Sequence, residues 1–63
     1  MLESRTHMYL KATIQKHLNY MKYLEKQLGK TTHEMDIFRI KNDLRSEEII
    51  INWLRKKLQK LAY

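Results

Sequence analysis

Sixty-three residues, with 13 Lys and Arg against seven Asp and Glu, carry a formal charge of +6, and the chain has one glycine, no proline and no cysteine. A chain of this size buries only about 60% of the surface it exposes when unfolded, and without cysteine neither disulfides nor a thiolate metal site can reinforce it, which leaves oligomerisation. Helix-forming residues dominate and chain breakers are nearly absent, so the expected class is all-α.

The opening stretch, MLESRTHMYLKATIQ, lacks the uninterrupted apolar run and small-residue cleavage site of a signal peptide. No apolar run approaches the roughly 20 residues of a spanning helix either. The expected protein is soluble and cytoplasmic. Helix 1 is expected over about residues 4–28, because Leu10, Ile14, His17, Met21, Leu24 and Leu28 recur in alternating steps of four and three.

Gly29 then has the position of a residue that closes a helix in the left-handed conformation, giving a tight turn over 29–31. Thr31 and Glu34 have the spacing of a capping box, and Glu34 and Asp36 suit the positive end of a helix dipole. Helix 2 is therefore expected over about 32–62. Its stripe is Ile37, Ile40, Leu44, Glu47, Ile51, Leu54, Leu58 and Leu61. So short a connection imposes antiparallel neighbours, and residues 1–63 form a single helical-hairpin domain.

Folding the chain about residue 32 brings Leu28 near Ile37, Leu24 near Ile40, Met21 near Leu44, Ile14 near Ile51 and Leu10 near Leu54. The polar break in each stripe falls in one layer, with His17 opposite Glu47. A catalytic acid and base would also need a cavity and a third group, so the pair is read as a polar layer that sets register.

Apolar surface remains once the seam is closed. Tyr9, Tyr20 and Tyr23 form a second stripe with Thr13 and Lys16, and helix 2 keeps Ile49, Ile50 and Trp53 outside the seam. Large exposed apolar patches mark interaction surfaces. The simplest partner is a second copy, since two hairpins side by side make a four-helix bundle. This layout resembles that of Rop-type RNA-binding proteins; no motif is shared, and no functional residue is carried over. A tyrosine stripe at heptad spacing reads as an interface before it reads as a base-stacking platform.

The hairpin also places residues 1–11 beside 53–63, so that Arg5, Lys11, Arg55, Lys56, Lys57 and Lys60 gather at the open end against Glu3 alone, a net of +5. Lys and Arg near the end of helix 2 complement its dipole, whereas Arg5 and Lys11 near the start of helix 1 do not. The expected function is a non-enzymatic regulator, a homodimeric bundle whose basic end binds a nucleic-acid phosphate backbone. The alternative is an adaptor or inhibitor that docks on a larger, acidic protein through Tyr20, Tyr23, Ile50 and Trp53.

Other chemistry finds little support. His7 and His17 are ten residues apart on one helix, about 15 Å at 1.5 Å per residue, and His33 lies at the opposite end. They do not converge on a metal. No phosphate-binding glycine loop, activated serine or paired-carboxylate cleft is present, so no cofactor, small-molecule substrate or enzymatic activity is expected. An interfacial membrane role for helix 2 is disfavoured because its apolar face is claimed by the seam.

Overall fold

The computed structural model describes residues 5–61. Two helices, α1 (Arg5–Lys30) and α2 (Glu34–Leu61), are joined by residues 31–33 and pack against each other along their lengths. The expected helix ends at residues 4 and 62, and Glu3, lie outside the described residues. The molecule measures 49 × 15 × 11 Å with a radius of gyration of 14.8 Å, whereas a compact domain of this length has about 10.6 Å. It is one layer of two rods.

The buried residues are Leu10, Ile14 and Leu24 of α1 and Ile51 and Leu54 of α2, and all five belong to the two heptad stripes. Four of them, Leu10, Ile14, Ile51 and Leu54, form a single cluster, with Leu18, Met21 and Leu58 packed against it. The best-packed part of the seam is therefore the half nearer the open end. Toward the turn Leu24 is buried, whereas Leu28, Ile37, Ile40 and Leu44 are only half-buried. Leu61 closes the stripe in sequence but is 48% exposed.

The connection differs from the glycine turn expected over 29–31. Gly29 lies within α1 and no glycine has positive φ. The reason is that the helical bonding continues past it: Thr31 N–H donates to Gln27 C=O at 3.1 Å, so α1 has no need of a left-handed residue to satisfy its last carbonyls. The capping box is not formed either. α2 starts at Glu34, and it is His33 whose carbonyl accepts the first helical bond, from Ile37 N–H at 2.9 Å. Glu34 and Asp36 occupy the first turn as the dipole favours. Asp36 also accepts a hydrogen bond from Arg39 at 2.6 Å, an exposed pair that stabilises little.

Candidate functional site

The seam divides the hairpin into two broad faces. Residues that immediately precede a seam residue lie on one of them, since a step back of one position turns the helix by about 100°. In α1 these are Tyr9, Thr13, Lys16, Tyr20, Tyr23 and Gln27, and in α2 Asp36, Arg39, Asp43, Ser46, Ile50, Trp53, Lys57 and Lys60. The two helices run in opposite directions, so both sets face the same way. A groove of about 720 Å³ confirms the match at the open end, where Thr6, Tyr9 and Thr13 of α1 meet Trp53, Lys57, Lys60 and Leu61 of α2. A second groove of about 490 Å³ continues along α1 past Tyr9, Thr13, Lys16 and Tyr20 to the His17–Glu47 layer.

This aromatic face is held in place by local contacts. Tyr20 and Tyr23 stack with ring centroids 6.2 Å apart and planes inclined by 17°, within the favourable range for offset aromatic pairs. The ammonium of Lys57 sits 4.4 Å from the centroid of the Trp53 ring, a cation–π contact that fixes the indole and carries charge onto the apolar surface. Thr13 Oγ1 donates to Tyr9 C=O at 2.8 Å, which satisfies the hydroxyl of a residue that lines both grooves. Tyr9 is 70% exposed, Tyr23 56% and Trp53 55%, exposures that leave most of three large rings in water.

Ile49 does not join this face. It stands two residues before Ile51, on the outer side of α2, and is 64% exposed against 38% for Ile50. Met8, Met35 and Phe38 are likewise exposed. Met8 and Met35 had no place in the seam or stripe patterns, and their lack of heptad partners is the sequence signal that marks them as surface residues.

The six cations of the open end are spread around it. Lys56, Lys57 and Lys60 cluster with Trp53 and Gln59, and Lys57 and Lys60 line the aromatic groove. Arg55 is on the opposite face, beside Leu18, Met21, Glu48 and Asn52. Lys11 follows a seam residue as Arg55 does and so belongs to that second face, at the level of Arg55. Arg5 begins α1, whose first turn holds no acidic residue. The result is a cationic collar around one tip, and the aromatic face runs out of it.

His17 Nδ1 and Glu47 Oε2 are joined by a hydrogen bond across the seam, with side chains 29% and 13% exposed. The pair borders the aromatic groove, and among the described residues no third side chain is hydrogen-bonded to it. Among the described residues no three His, Asp or Glu side chains are placed to hold a metal ion. None of the described helices is long and apolar enough to cross a membrane. No protein-family model, curated protein or solved structure matches this chain.

Proposed function

We propose that this protein is a small non-enzymatic regulator that pairs with a second copy through its aromatic face, making a four-helix bundle, and holds nucleic-acid phosphates in its cationic collars. Support for pairing comes from surface area. The chain exposes 5676 Å², whereas a compact monomer of its 7.8 kDa exposes about 4,400 Å². The excess is larger than the roughly 800 Å² that each partner contributes to a standard interface. Covering the exposed parts of Trp53, Ile50, Tyr9, Tyr20 and Tyr23 at about 25 cal/mol per Å² supplies several kcal/mol against the costs of association, comparable with the marginal stability of so small a fold.

The observation that carries the nucleic-acid reading is the collar itself. Of its cations only Lys60 stands in the last turn of α2, where the helix dipole accounts for it, and Arg5 stands in the first turn of α1, where a cation is unfavourable. The hairpin adds Arg5 and Lys11 to Arg55, Lys56, Lys57 and Lys60 at one tip. Positive charge concentrated there favours phosphate, with affinity that falls steeply as salt rises and little sequence preference.

Titration of labelled duplex DNA and RNA against the protein at increasing salt tests the reading. Arg55→Glu with Lys56→Glu, both off the aromatic face, is expected to weaken binding at least tenfold and to flatten the salt dependence, with the sedimentation of the protein unchanged. Absence of binding at low salt would refute the nucleic-acid reading. It would favour the alternative in which the exposed Trp53, Tyr20, Tyr23 and Ile50 dock on an acidic protein and the collar steers the encounter.

A further inference from the structure

The aromatic face has a twofold pattern written into it. Asp43, Ile50 and Lys57 are spaced by whole heptads, each standing one residue before a seam residue (Leu44, Ile51 and Leu58), so they share one line along α2. The acid and the base are equidistant from the isoleucine. The partner α1 shows the same symmetry about the same level. Ile14 and Ile51 share the core cluster, so Ile50 is level with the start of the turn after Ile14. Tyr9 and Tyr20 then lie about 8 Å to either side at 1.5 Å per residue.

Resting on the self-association proposed above, we infer that two hairpins pair in opposite directions, about a two-fold axis that is perpendicular to the helices and crosses α2 at Ile50. With that axis α2 faces α2 and α1 faces α1. Ile50 meets the partner's Ile50 on the axis. Lys57 falls opposite the partner's Asp43, and the symmetry repeats the pair. On the α1 side, Tyr9 falls opposite the partner's Tyr20 and Thr13 opposite the partner's Lys16. An isologous interface must be self-complementary, and the line Asp43, Ile50 and Lys57 is so in shape and in charge. On the neighbouring line Arg39 falls near the partner's Lys60, and its charge is already met by Asp36 on its own helix.

Pairing in the same direction has neither property. It sets α2 against α1, which leaves Asp43 facing the tyrosines Tyr20 and Tyr23, while Lys22 at that level follows a seam residue and so lies on the other face. It also brings both collars, with Arg5, Lys11, Arg55, Lys56, Lys57 and Lys60 from each copy, to one end. Like charges closer than the screening length of about 8 Å repel even at physiological salt. Opposed pairing instead moves the two Lys60 residues about 30 Å apart along the bundle. Each bundle then offers two separate phosphate-binding tips instead of one merged patch.

The natural chain has no cysteine, so single-cysteine variants report the geometry directly. Thr32→Cys lies in the exposed connection, away from the face in question, and carries a spin label for dipolar distance measurement. Opposed pairing places the two labels about 50 Å apart, and same-direction pairing brings them within about 25 Å. Ile50→Cys provides the second readout: under mild oxidation it is expected to give a disulfide-linked dimer. A short Thr32 distance, or cross-linking that requires Thr13→Cys together with Ile50→Cys, would overturn the opposed arrangement while leaving self-association standing. A monomer by sedimentation at high concentration would remove the pairing itself.

Discussion

His17 and Glu47 are hydrogen-bonded to each other at the level where both apolar stripes are interrupted. The carboxylate accepts and Nδ1 donates. Each group is more than two-thirds covered, so removal of either leaves the other without its partner in a partly desolvated site. His17→Leu and Glu47→Leu are each expected to lower stability by about 1–2 kcal/mol. The double leucine variant is expected to recover most of that loss, because an apolar pair of similar volume suits the seam. Urea unfolding of the four proteins measures this. A double variant that loses the sum of the two single losses would show that the pair does not act as a unit. If the pair sets register, the stable double variant should also sediment as a mixture of species.

Gly29 is helical, and a methyl group added there would meet nothing within 4 Å. Gly29→Ala should therefore stabilise the protein by about 0.4–1 kcal/mol, through lost freedom in the unfolded chain and better helix propensity. The sign is decisive. A left-handed glycine at this position would make the same substitution destabilising, so a fall in the urea midpoint would restore the glycine turn expected from sequence.

The two heptad stripes made the hairpin and its seam legible, since burial follows a period of four and three wherever one face of a helix is covered. Leu10, Ile14, Leu24, Ile51 and Leu54 are all stripe residues. The connection was less legible because glycine permits the left-handed state without requiring it. What decided the outcome was a single backbone bond, from Thr31 to Gln27, and no side-chain pattern encodes that bond. The collar is intermediate. Hairpin topology fixes which cations share an end, but a charge count has no angular information, so Arg55 and Lys57 look alike until each is referred to the seam. The same reference separates Ile50 from Ile49.

Trp53 is 55% exposed and touches the seam core little, so its contribution is expected through the second copy. Folding linked to association makes thermal stability depend on protein concentration. The midpoint of helix melting by circular dichroism should rise as concentration increases. Trp53→Ala should weaken dimerisation by one to two orders of magnitude, in keeping with truncation of a central aromatic anchor. A melting midpoint that is independent of concentration in the natural protein would place the whole stability in the lone hairpin.

Asp43 and Lys57 lie on one helix, 14 positions apart and about 21 Å along its axis, too far to touch within a chain. Any coupling between them must therefore cross between copies. Asp43→Lys is expected to weaken dimerisation by about three- to tenfold at low salt, since it exchanges two attractive pairs for two repulsive ones, each worth up to about 1 kcal/mol at an exposed position. Lys57→Asp alone should act similarly, with a further loss of the cation over Trp53. The double swap restores opposite charges across the axis and should recover most of the affinity. Raising the salt should compress all of these differences. Sedimentation equilibrium on the four proteins measures the coupling, and strictly additive losses in the double swap would mean that the two residues never meet.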